Sequence, residues 1–199
     1  MLVKLEPYAG VLNVQHPFIC SENLLLGLRA GGDIGSLIPY DRLRNALLPC
    51  IEVPHDFLPV RLLGFIGSRT FRMVSATLSH SRGSNYKACI SVATFTITED
   101  FKSIILAGPP QAAIIRNVTE LLEVNEVGGK LIVVSIEFGT NTVVHKVYGT
   151  MAHEVECFPG RRIDHSSIIN GMLIYIDGGG SRENHWQLFS YDFDTKEKI

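Results

Sequence analysis

No apolar run in these 199 residues approaches the ~20 needed to span a bilayer as a helix. No basic excess accompanies the 18 Lys+Arg and 20 Asp+Glu, a formal net charge of −2. That balance argues against a chain whose main work is gripping nucleic-acid phosphates. The first ten residues carry Lys4 and Glu6 and no apolar signal-peptide core, so a cytosolic or nuclear setting is expected, with no membrane partner. Paired cysteines are missing too. Cys20, Cys50, Cys89 and Cys157 are widely separated, with no CxxC or Cys/His zinc spacing, and read as reduced, mostly buried small hydrophobes. Catalytic signatures are absent: no GxSxG elbow, P-loop or HExxH. Gly178-Gly179-Gly180 is followed by no Lys-Ser/Thr, so it is not a phosphate cradle. No cofactor and no catalytic residue is therefore assigned. Asn117-Val118-Thr119 is a formal glycosylation triplet, of a kind that arises often by chance.

Helical periodicity is scarce as well. Only Leu43–Leu48 and Asn117–Glu123 show any over a useful length. What remains is short apolar or alternating runs bounded by Gly, Pro, Asn and Asp, and the chain reads as nearly all β. Strands are predicted near Leu24–Leu26, Ser36–Tyr40, Ala46–Leu48, Val60–Ile66, Phe71–Leu78, Tyr86–Ile97, Phe101–Leu106, Ala112–Ile115, Thr119–Val124, Lys130–Ile136, Thr142–Tyr148, His153–Phe158, Met172–Ile176 and Leu188–Tyr191.

These strands repeat. Aligning them on the residue before a turn gives Tyr40, Ile97, Tyr148 and Tyr191, each followed seven positions later by a returning residue: Leu47, Ile104, Val155 and Lys198. Tyr40-Asp41 and Tyr191-Asp192 match as dipeptides. A period of about 40 to 50 residues carrying four short strands is what one propeller blade needs. The reading is an all-β, partial β-propeller of about four four-stranded antiparallel blades in one domain, roughly 11–50, 60–107, 112–158 and 163–199. The alternative is a β-sandwich whose hairpins look alike because hairpins share turn residues.

The C-terminal unit resembles a kelch repeat. An apolar strand, Met172–Ile176, precedes Gly178-Gly179, then Tyr191-Asp192 and Thr195 stand at the spacing of YDxxTxxW, with Lys198 in place of the last aromatic. Asn23–Leu63 is similar to the F-box-associated domains of plant F-box proteins. The matching stretches are Asn23-Leu24-Leu25-Leu26, Pro39-Tyr40-Asp41-Arg42-Leu43-Arg44, Leu48-Pro49 and Leu63-Gly64-Phe65, with Phe71-Arg72-Met73-Val74 beyond. The resemblance implies a kelch-like module that binds a protein substrate for ubiquitination. It would meet the SCF-type ligase core only through an F-box, which the stretch before residue 10 does not show, so the chain reads as a domain or a fragment of one.

Such a module works through loops on one face. The loops between second and third strands are Ala30–Gly35, Ser79–Asn85, Phe138–Asn141 and Gly178–His185. In or beside these and the blade connectors fall Arg82, Arg161, Arg162, Arg182, His185 and Trp186, the predicted partner-binding residues. Arg and Trp combine large contact area with directed polar groups. Seven histidines raise a metal reading, with Asp164, His165 and His185 flanking one strand pair and His145 and His153 on facing strands of one hairpin. A first-row metal needs three or more converging ligands, which the sequence does not establish, so no metal site is assigned. The competing function class is a propeller or sandwich enzyme acting on sugars, with carboxylates or a metal at one rim.

Overall fold

The computed structural model describes residues 18–29, 35–57, 59–81, 85–138, 141–158, 163–169, 171–177, 187–193 and 195–197. Every regular element among them is a strand. In chain order these are β1 (Ile19–Cys20), β2 (Leu24–Arg29), β3 (Ser36–Asp41), β4 (Ala46–Leu47), β5 (Ile51–Glu52), β6 (Pro59–Phe65), β7 (Thr70–Ser81), β8 (Asn85–Ile97) and β9 (Ile104–Leu106). Then come β10 (Gln111–Arg116), β11 (Val118–Val127), β12 (Lys130–Glu137), β13 (Asn141–Tyr148), β14 (Met151–Phe158), β15 (Ile163–Ile169), β16 (Met172–Asp177) and β17 (Gln187–Asp192).

The strands form four successive sheets. Blade 1 is β1-β2-β3-β4, with β5 also on β3; blade 2 is β6-β7-β8, with β9 and β10 both on β8. Blade 3 is β11-β12-β13-β14 and blade 4 is β15-β16-β17. The chain is an all-β propeller of four antiparallel blades, not the two sheets of a sandwich. It falls into two compact units: Met1–Met73 with Thr94–Gly108, and Val74–Ala93 with Pro109–Ile199.

In the first unit, Leu26, Leu28, Leu37 and Ile51 are fully buried in blade 1, and β1 and β2 lie against β6. Phe95 meets Phe57 edge-on at 5.2 Å and Phe71 stacked at 6.2 Å, spacings at which aromatic rings add to their burial. The Ser21 hydroxyl reaches the Ser68 carbonyl at 3.4 Å, which ties the first hairpin of blade 1 to that of blade 2.

In the second unit, β11 lies against β15 and β10 against β14. Ile132, Val134, Val144 and Phe158 of blade 3 share a core with Ile163, Ile168, Leu173, Tyr175, Tyr191 and Phe193 of blade 4. Each such buried side chain contributes roughly 1.5–3 kcal/mol before its ordering cost. β12 is buried at every position after Lys130, because it is covered on both faces. That is why its sequence is a continuous apolar run and not an alternation.

The repeat is visible in the backbone. Tyr40, Ile97, Tyr148 and Tyr191 all lie at or next to the end of the third strand of their blade. Tyr40 pairs with Leu47 and Ile97 with Ile104, the seven-residue offset expected. In blade 4 the Asp192 N–H donates to the Glu197 carbonyl at 3.1 Å, while Lys198 lies outside the described residues. Blade 3 departs. Tyr148 pairs with Met151 across a two-residue turn, and Val155 is the extra residue of a bulge between the Val144–Glu156 and His145–Glu154 pairs. The turn opens with Gly149 at φ 57, which tight hairpins require and glycine adopts without strain.

The return strand expected at Ala46–Leu48 is β4 and the strand expected at Thr119–Val124 lies in β11, so the helical periodicity of Leu43–Leu48 and Asn117–Glu123 forms no helix. Two register shifts in β11, between Val118 and Glu120 and between Leu121 and Glu123, break the period-two alternation and imitate a helical pattern. Ala112–Ile115 was expected to open the third blade; it pairs with Ser91–Ala88 of β8 and belongs to the second. The cysteines are free but not buried. Cys20 and Cys50 are exposed because their neighbours Ile19 and Ile51 take the inward positions, and Cys89 and Cys157 are half-buried.

Candidate recognition surface

The turns that follow the third strands of blades 1, 2 and 4 are held by their own residues. In blade 1 Asp41 Oδ1 accepts from the Leu43 and Arg44 N–H groups, both at 2.9 Å, and Asn45 takes φ 52. In blade 4 Asp192 Oδ1 accepts from the Thr195 N–H at 2.9 Å, and Lys196 takes φ 62. The aspartate directly after the tyrosine and the positive φ five residues after it recur in both, so the shared dipeptide marks a shared turn. Arg42 Nη1 donates to the Ser21 and Glu22 carbonyls at 2.9 and 3.2 Å, which clamps the two hairpins of blade 1 together. In blade 2 Thr98 and Asp100 do the capping, and Asp100 accepts from the Thr98 hydroxyl at 2.7 Å and the Lys102 N–H at 3.1 Å. Those bonds, that from Thr98 first, hold its carboxyl below the usual range.

Blade 3 carries the most informative pair of faces. On one, Glu137 pairs with Asn141, Ser135 with Val143, and Val133 with His145. His145 Nε2 and Glu137 Oε1 lie 2.9 Å apart, and both residues are buried. Their side chains run toward each other over the Ser135–Val143 pair. Ser135 Oγ beneath is fully buried with no hydrogen-bond partner among the described residues. Ser, His and Glu are hydrolase residue types, yet the serine is not hydrogen-bonded to the histidine. Cys157 pairs with Val143 on the same face. Burial, then the charges of Glu154, Glu137 and Glu156, push its thiol up from the ordinary value, away from a reactive thiolate.

On the other face Val127 pairs with Lys130, Tyr148 with Met151, and Lys146 with His153. Two glycine turns bound this end of the blade: Gly128 and Gly129 at φ 55 and 76, and Gly149. Tyr148 is 45% exposed and Met151 60% exposed. The Lys130 ammonium stands 6.0 Å from the Tyr148 ring centroid, and the His153 ring meets Tyr148 edge-on at 6.0 Å. Lys146 Nζ donates to the Phe193 carbonyl at 3.1 Å, which ties this face to blade 4. Deeper, the bulge at Val155 turns Glu156 onto this face, where Tyr191 donates a hydrogen bond to it. Burial first, then the charge of Glu156, raises the Tyr191 phenol above its usual value.

The predicted partner-binding residues Arg82, Arg161, Arg162, Arg182, His185 and Trp186 all lie outside the described residues. So do the side chains of Asp164 and His165. His145 and His153 do not converge: by strand alternation they project from opposite faces of blade 3. No group of three or more His, Cys, Asp or Glu able to hold a metal occurs among the described residues. The Lys130–Tyr148–Met151 row was missed. Its signals were Gly128-Gly129 and Gly149-Thr150, turns two residues long that bring distant positions side by side.

No protein-family model matches the chain, and no curated protein does. Among solved structures, an oligogalacturonate lyase in complex with manganese aligns with a TM-score of 0.43 at 10% identity. The alignment covers 89% of this chain and 61% of that one, so the chain spans about three fifths of its length.

Proposed function

We propose that this chain is a protein-recognition module, a rigid blade scaffold that offers turn-borne side chains to a protein partner. In its finer form, the partner is a substrate selected for ubiquitination, as the kelch and F-box-associated likeness implies. The observation that carries the reading is the exposed end of blade 3, where Tyr148 and Met151 stand beside Lys130 on short turns fixed by glycine. Exposed aromatics with a polar handle are frequent anchors of protein interfaces. The buried polar groups of the same blade serve its packing.

The test is affinity capture from native extract with the full-length gene product, quantified against a Lys130→Glu/Tyr148→Ala variant. A defined set of proteins retained by the wild type and depleted in the variant is expected. Ligase-core subunits in that set support the finer form, and their absence removes it. Capture no better than with an unrelated propeller overturns the module reading itself.

A further inference from the structure

We propose that the row Val127–Lys130–Tyr148–Met151, with His153 beside it, docks an acidic peptide segment that carries an apolar anchor residue. This rests on the recognition reading above and specifies the partner's chemistry.

On the face of blade 3 that carries Lys130, charge is sorted along the strands: Glu120, opposite Ile136, Glu123, opposite Val134, and Glu156, opposite Val144, lie away from the end at Lys130 and Tyr148. Strand alternation and register turn Glu126, opposite Leu131, and Glu154, opposite His145, to the face that holds the buried Glu137–His145 pair. The exposed ionisable groups that these strands leave at the end of the other face are Lys130 and His153. Lys146 adds a second ammonium group, bonded to the Phe193 carbonyl of blade 4. A carboxylate-bearing segment complements this end, and a basic one is repelled.

The same row is half apolar. Tyr148 and Met151 face each other directly across the hairpin, both exposed, while Val127 at the far end of the row packs against the core shared with blade 4. An aromatic face and a flexible thioether suit an inserted Leu or aromatic side chain. Lys130 over one side of the ring and His153 at its edge fix the tyrosine before any partner arrives, and the glycine turns fix the strands that carry it, which reduces the ordering cost of binding. So small a set of cations is a weak basis for nucleic-acid binding, which draws on many phosphate contacts.

The experiment selects a random dodecapeptide library on the intact chain and measures enriched, fluorophore-labelled peptides by anisotropy. We expect Asp and Glu to flank an aromatic or Leu. Affinity should fall by about 10-fold or more with Lys130→Glu and with Tyr148→Ala, and also with rising salt. Arg69→Glu, in the first hairpin of blade 2, should leave it unchanged, and circular dichroism should show all variants folded. Acidic peptides that bind both blade 3 variants as tightly as the wild type, or enriched peptides without acidic residues, overturn the assignment. So does preferential binding of a single-stranded oligonucleotide or an anionic vesicle that ignores Tyr148→Ala. In those cases the extract capture decides separately whether the recognition reading survives.

Discussion

Tyr191 shows how one side chain joins two blades. Its ring sits edge-on to Phe158 of blade 3 and to Phe193 of its own blade, and its hydroxyl donates to Glu156. Tyr191→Phe keeps the ring and removes the bond to a charged acceptor, so we expect a loss of about 1–2 kcal/mol in urea unfolding. The pH dependence follows from the raised phenol. An unfolded tyrosine ionises near pH ~10. The stabilisation is fully present below that value and is lost as pH rises through the higher folded one. Wild-type stability should therefore fall above pH ~10 more steeply than that of Tyr191→Phe. Equal slopes would mean that the phenol is not held as described.

At the scale of the element, turn chemistry sets where blade 3 presents its side chains. Gly149 at φ 57 has open space around it, so Gly149→Ala meets no clash and pays only the backbone cost of the left-handed region, about 1–2 kcal/mol. Lys196 takes φ 62 in the turn of blade 4. Replacing it with glycine relieves the same kind of strain, and Lys196→Gly should raise stability by up to about 1 kcal/mol. Opposite shifts in thermal midpoint for the two variants are the check. Shifts of the same sign would contradict the turn assignments.

Turn chemistry also explains what was legible in the sequence. The Tyr40-Asp41 and Tyr191-Asp192 turns were readable because capping needs an aspartate at a set offset. The long apolar run of β12 was readable as a strand. The pairing of Tyr148 was not, because the bulge at Val155 adds a residue to one strand only and leaves no local mark. For the same reason the opposite facing of Glu154 and Glu156, two residues apart, could not be foreseen. The surface was harder still. It is assembled from two turns some twenty positions apart, and its character depends on where the register places each charged side chain.

At the scale of the molecule, the four blades are built from one degenerate unit that has diverged at its turns. Blade 1 clamps its hairpins with Arg42, while blade 3 leaves Tyr148, Met151 and Lys130 exposed. Buried polar groups such as Glu137 and His145 satisfy one another inside the sheet. The most direct test of a platform that binds through this end of blade 3 is amide hydrogen exchange, read with and without a bound partner or selected peptide. Slower exchange is predicted at residues 128–131 and 148–153, with β15–β17 little changed. Protection elsewhere, with those two turns exchanging as in the free chain, would contradict the account.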